Sequence, residues 1–156
     1  MGFFQSLFGG RKGNSEEKKM EDEAKSFDLY KYDGVKALKT GQPVIAIKCL
    51  KAALEIKEDL EVRDYLAQAL MRNGELLPAY EQLQKLAEAQ PDNQAIFIQM
   101  ANVAYMMEDY IAMSQACEKA LLIDNSNAHV HYLYAKACIG QEDMINAIAM
   151  LTKATV

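Results

Sequence analysis

Four small residues, Gly34, Ala67, Ala101 and Ala135, stand 33, 34 and 34 residues apart in a chain of 156. A second series, Ala46, Ala79, Met113 and Ala147, repeats the same steps, and so does a third, Ala53, Leu86, Ala120 and Ala154. Three registers on one period constrain the fold more than any local propensity does. The chain is one structural unit written about four times, and such a unit cannot bury its apolar face without stacking on its neighbours.

Each unit holds two stretches of about a dozen residues with apolar side chains at helical spacing, joined by a short break. In the first, Tyr30, Gly34, Ala37 and Leu38 form one stripe, "KTGQP" breaks the chain, and Ile45, Ala46, Leu50, Ala53 and Leu54 form the next. Gly41 suits a left-handed helix cap and Pro43 the first turn of the following helix. Gly74 and Pro78 play these parts in the second unit; in the third, Glu108 and Asp109 stand where the glycine would be. The polar runs "AQPDN" and "IDNSN" close the second and third units, and Asp124 to Asn127 is expected to cap the helix that follows. The small residues mark the seams, because helices approach to the short end of the usual range of about 8–10 Å only across Gly or Ala.

These residues resemble the tetratricopeptide repeat family, whose unit is a 34-residue helix-turn-helix. Leu66, Ala67, Gly74, Ala79, Leu83, Leu86 and Pro91 match its pattern in the second unit, and Phe97, Met100, Ala101, Tyr110, Cys117, Ala120 and Leu121 match it in the third. Asp33, Glu58, Asn125 and Met113 depart from it, and Asp33 fits a first helix that is more solvent-exposed, as in a terminal repeat. The resemblance implies an all-α fold, a right-handed superhelical stack over residues 27–156 with repeats at 27–59, 60–93, 94–127 and 128–156. It also implies a concave groove lined by the first helix of each unit. By register that groove carries Lys31, Val35, Asp64 and Gln68, then Met71, Ile98, Asn102 and Tyr105, then Tyr132, Lys136 and Ile139. The surface is apolar and aromatic at its centre, with lysines and amides able to hold a peptide backbone or a carboxylate. Val35 stands where the family's two-carboxylate clamp needs a polar amide, so a hydrophobic or mixed peptide fits better than a chaperone tail.

Outside the repeats, residues 1–13 place Phe3, Phe4, Leu7 and Phe8 at i, i+1, i+4 and i+5, followed by a Gly9-Gly10 hinge and the cations Arg11 and Lys12. On one helical face these rings suit docking to a partner or to a membrane interface, with the cations on anionic headgroups. Residues 14–26 alternate in sign and read as a charged linker or helix extension. At the other end, Ile145, Ile148, Met150 and Leu151 cannot all point inward. The apolar surface left there is expected to be covered by a homodimer contact through the last helix or by the amino-terminal segment, unless the chain is shortened at this end.

Composition narrows the function. The net charge is −5, all of it carried by residues 27–156, which repels phosphate backbones and argues against nucleic acid. Cys49, Cys117 and Cys138 lie inside apolar helical patterns, as small core residues of a reducing compartment do. No run approaches the roughly 20 apolar residues of a membrane span. His129 and His131 are two apart and face different ways, and no glycine-rich phosphate loop or nucleophile elbow occurs, so neither metal, cofactor nor enzymatic activity is expected. The reading is a cytoplasmic scaffold that binds a segment of another protein in its groove. The alternatives are an adaptor peripheral to the inner face of the membrane and a self-assembling subunit.

Overall fold

The computed structural model describes the backbone of residues 2–141 and 144–155, and the side chains of residues 13–141 and 148–155. Among them the secondary structure is helical: α1 (Gly2–Lys39), α2 (Pro43–Ile56), α3 (Leu60–Arg72), α4 (Leu76–Ala89), α5 (Gln94–Met106), α6 (Tyr110–Ile123), α7 (Ala128–Gly140) and α8 (Met144–Ala154). The fold is a stack of helix-turn-helix repeats. The chain divides into two compact units, residues 1–62 and 63–156.

The turns inside the repeats share one hydrogen-bonding scheme. The N–H of Gln42 donates to the carbonyl of Ala37, that of Glu75 to Leu70 and that of Asp109 to Ala104, at 2.8, 2.9 and 2.9 Å. Each is the six-to-one bond of a Schellman cap, and it places the preceding residue in the left-handed region. Gly41 and Gly74 take φ of 75° and 77° without strain; Glu108 takes 58° with a side chain attached. Turns between repeats are closed by side-chain caps at the same spacing. Asp59 accepts from the N–H of Val62, Asn93 from Ala95, and Asn127 from His129 and Val130.

In the first unit, α1 packs on α2 through Phe27, Ala37 and Leu38 against Ala46, Ile47, Leu50 and Ala53, all buried. A Cβ on Gly34 would lie 2.7 Å from the Leu50 side chain, so the glycine allows this close approach. Three expectations are corrected here. Tyr30 lies on the open rim of a cleft beside Ala52, Glu55 and Ile56, and its core place is taken by Phe27, covered by the Lys57 ammonium at 4.9 Å from the ring centre. Ile45 is exposed and Ile47 is buried: at about 100° per residue the two flank the stripe of Ala46, Leu50 and Ala53 on opposite sides, and the buried face extends on the Ile47 side. Asp33 is exposed. The helix α1 also runs unbroken through Gly9 and Gly10, read above as a hinge; glycine weakens a helix by about 1 kcal/mol but keeps its N–H, so it need not end one.

In the second unit, Leu66, Leu70, Leu83, Val103, Met113 and Val130 fill the core. The seam residues Ala67, Ala79, Ala101, Ala120 and Ala135 are buried to 1% exposure or less. Gln94 ties two turns together, donating to the carbonyl of Ala120 at 2.9 Å and accepting from Asn127 at 3.0 Å. Tyr110 packs directly on Gly140, where a Cβ would overlap its ring.

Candidate functional site

The second unit gathers three of the expected groove residues. Tyr105 comes from the last turn of α5, Tyr132 and Lys136 from successive turns of α7. The Lys136 ammonium stands 4.9 Å from the centre of the Tyr105 ring and 4.8 Å from that of Tyr132. Tyr105 in turn meets Tyr110 edge to face, with ring centres 6.4 Å apart. Each cation–π contact at a partly exposed site contributes about 0.5–1 kcal/mol. The two together hold a flexible lysine in one place and fix both rings. Tyr105 and Tyr132 remain 44% and 42% exposed, so the assembly is open to a ligand. It offers ring edges for apolar side chains and a positioned cation for a carbonyl or carboxylate.

The other expected residues of this unit are half-buried, except Ile139, which is exposed. Ile98 and Asn102 lie two turns and one turn before Tyr105 on α5, and Ile139 follows Lys136 on α7. On α3, Gln68 donates to Asp64 at 3.3 Å and Met71 is one turn further on. In the first unit, Val35 is half-buried and Lys31 pairs with Asp59 at 3.4 Å and with Glu61 at 3.6 Å. Burial raises the Asp59 carboxyl, but the Val62 N–H and the Lys31 ammonium outweigh it and hold it below its usual value. Lys31 thus belongs to a helix-cap network. The side chains of Phe3, Phe4, Leu7, Phe8, Arg11 and Lys12 lie outside the described residues, as does that of Ile145.

Groups with reactive potential are engaged in packing. Burial pushes the Cys117 thiol up to about 12, with Cys138 and Glu118 adding to it, which leaves no thiolate near neutral pH. Cys49 is raised as well, by partial burial and by Asp33. The His131 ring is buried, its Nε2 2.7 Å from the carbonyl oxygen of Asn125, while His129 is exposed. Among the described residues no three His, Cys, Asp or Glu are grouped to hold a metal, and no helix is long and apolar enough to cross a membrane.

A second recess, of about 950 Å³, opens on the opposite side of α5, between α4 and α6. Its floor is Phe97, Met100 and Ala116; its walls carry Tyr80, Gln84 and Glu88 on one side and Gln115, Lys119 and Leu122 on the other. The groove rule applied to the sequence looks only at first helices and passes over it. A signal was present: Leu77 and Ile111, on the first turns of two second helices, share the 34-residue step and are both exposed.

No family model and no curated protein matches the sequence. Solved structures do match. The protein MamA from Desulfovibrio magneticus RS-1, residues 41 to the end, superposes with a TM-score of 0.74 at 22% identity, over 83% of this chain and 74% of that one. Another crystal structure of MamA gives 0.76 at 18% identity, over 89% and 82%. YrrB, described as a TPR protein with an unusual peptide-binding site, gives 0.72 at 15% identity, over 88% and 78%. At such identities the likeness is one of fold, and together with the period, the Schellman turns and the small-residue seams it identifies the architecture: the chain has the tetratricopeptide repeat fold, an α-solenoid of helix-turn-helix units.

Proposed function

We propose that this protein is a non-catalytic interaction scaffold whose first-helix face binds a peptide segment of a partner. The observation that carries the reading is the Lys136 ammonium held between the Tyr105 and Tyr132 rings, two exposed aromatics immobilised beside a positioned cation. A surface of this kind loses little side-chain entropy on binding, because its long side chains are already ordered. Ile98 and Asn102 on α5, with Gln68 and Met71 on α3, extend it with apolar and amide groups that suit a mixed peptide. The peptide-binding site named for YrrB is consistent with this use of the fold. Crosslinking in native lysate, read by mass spectrometry, tests it with the intact chain against a Tyr105→Glu, Tyr132→Glu variant confirmed to be folded. Partners crosslinked to the parent are expected to be lost from the variant; an unchanged set would sink the reading.

A second reading rests on α1. Residues 13–25 are each exposed, although Ser15, Lys18, Lys19, Asp22 and Glu23 line a cleft with Ala52, Glu55 and Ile56 of α2, and the helix leads back to the aromatic run of Phe3 to Phe8. An address at an anionic membrane surface or on a partner would use that run. Flotation with anionic vesicles, with and without residues 1–13, separates the two readings. Self-association through α8, where Ile148 and Leu151 are exposed, is tested by sedimentation over a range of concentrations.

A further inference from the structure

The recess between α4 and α6 has features of its own. Its floor is aromatic and aliphatic, Leu122 on its wall is 87% exposed, and Leu77 and Ile111, one turn before Tyr80 and Gln115 on α4 and α6, are 60% and 63% exposed. Leu77 precedes Tyr80 by three residues and Ile111 precedes Gln115 by four, so each continues the wall formed by its own helix. From Leu77 to Glu88 is eleven residues, about 16 Å of helix. Burial raises the Tyr80 phenol, and the charge of Asp109 adds to it.

The lining of the groove carries two acids, Glu88 and Asp92, and one base, Lys119, within an acidic stretch of the chain. Residues 75–124, which form α4, α5, α6 and their turns, contain eight acidic and two basic side chains, a net of −6 against −5 for the whole protein. Of the two bases, Lys119 is drawn over the Phe97 ring, 5.9 Å from its centre. Glu88 and Asp92 line the far end, and neither makes an ion pair among the described residues. The shape favours a helix over an extended strand. The α4 and α6 helices already hold α5 in the groove on their inner side, and a further helix laid in the outer groove would repeat the same ridge-and-groove packing.

We propose that the α4–α6 groove is a second docking surface, distinct from the Tyr105–Tyr132–Lys136 face, and that its occupant is a cationic amphipathic helix of a partner protein. Three turns of such a helix lay an apolar stripe along Phe97, Met100 and Ala116, between Leu77 and Ile111 at one end and Leu122 at the other. Its flanking lysines or arginines meet Glu88 and Asp92. Two faces with different chemistry let one scaffold join two different segments.

The test titrates fluorescein-labelled 14-residue helical peptides into the full chain and follows anisotropy. One peptide carries a leucine stripe at helical spacing with lysines on its flanks; the other keeps the stripe and carries glutamates. The lysine peptide is expected to bind at least about tenfold tighter than the glutamate peptide, and Leu122→Lys and Glu88→Lys are each expected to weaken it about tenfold. Both substituted residues are exposed, so folding is preserved and is checked by circular dichroism. Tyr132→Glu, on the other face, is expected to leave this binding unchanged. Equal binding of the two peptides, full binding by Leu122→Lys and Glu88→Lys, or loss of binding in Tyr132→Glu would each overturn the proposal. So would a parent chain that dimerises and becomes monomeric on Leu122→Lys, because the groove would then belong to a second copy.

Discussion

The α1–α2 and α5–α6 hairpins follow one plan with opposite choices at two positions. Both close with a Schellman turn, and both bury a small residue at the seam. In α1–α2 the seam residue is Gly34 and the turn residue Gly41; in α5–α6 they are Ala101 and Glu108. The backbone path is set by the turn bonds, while the residue at each position answers to its local surroundings. Leu50 leans into the space a methyl would fill at Gly34, whereas Ala101 is buried with its Cβ accommodated. At the turn the order is reversed in effect: glycine meets no strain at Gly41, and Glu108 holds a left-handed φ that favours glycine.

The comparison breaks first at the seam. Leu50 is fully buried and occupies the gap over Gly34, so Leu50→Ala removes the contact that defines α1–α2 and is expected to cost about 2–5 kcal/mol. Urea unfolding followed by circular dichroism measures it; a loss well under 1 kcal/mol would mean the seam is loosely packed. The next effect separates the hairpins directly. Gly34→Ala is expected to destabilise by about 1–3 kcal/mol, overpacking against Leu50 outweighing the better helix propensity of alanine. At the equivalent position Ala101→Gly is expected to cost only about 1 kcal/mol, from propensity and the lost methyl. If the two substitutions had the same cost, the close approach at Gly34 would not be what selects glycine.

The period, the helix pairs and the turns were legible in the sequence because a seam must be small and a left-handed cap must be tolerated, and both demands fall on fixed positions of a 34-residue unit. The run Asp124 to Asn127 was legible as a capping turn because its polar side chains can accept helix N–H groups, and the structure assigns that bond to Asn127. Tyr30 and Ile45 were misplaced because spacing locates a face of a helix but not where its partner helix begins and ends. The surface was harder to read. Register placed Tyr105, Tyr132 and Lys136 on first helices, but the lysine bridging two rings from different repeats depends on side-chain conformations that no pattern encodes. The α4–α6 recess went unread because its floor, Phe97 and Met100, also counts as core. Only the exposed pair Leu77 and Ile111, together with the acidic excess around them, marked it.

The turns sharpen the comparison in the stabilising direction. Glu108→Gly relieves a side chain held at φ 58° and is expected to add about 1 kcal/mol to stability, whereas Gly74→Ala, at φ 77°, is expected to remove about the same. Opposite shifts of the urea midpoint at constant slope are the signature. A destabilised Glu108→Gly would show that the carboxylate makes up for its backbone in some way the turn geometry does not explain.

The smallest effect distinguishes the caps between repeats and needs pH to reveal it. Asp59, Asn93 and Asn127 do the same work at the starts of α3, α5 and α7, but only Asp59 titrates. Burial raises its carboxyl, but the Val62 N–H and Lys31 favour the charged form more strongly and hold it below the ordinary carboxylate value. A depressed native pKa means that the stabilisation is fully present above the unfolded value and is lost as the pH falls through the folded one. Asp59→Asn keeps the capping oxygen and removes the charge. The variant is therefore expected to be slightly less stable than the parent at pH 7, and the gap is expected to close as the pH falls below about 4. Thermal unfolding of both chains across that range decides it. A gap that stays constant would mean that the charge of Asp59, and with it the Lys31 pair, contributes nothing to the cap.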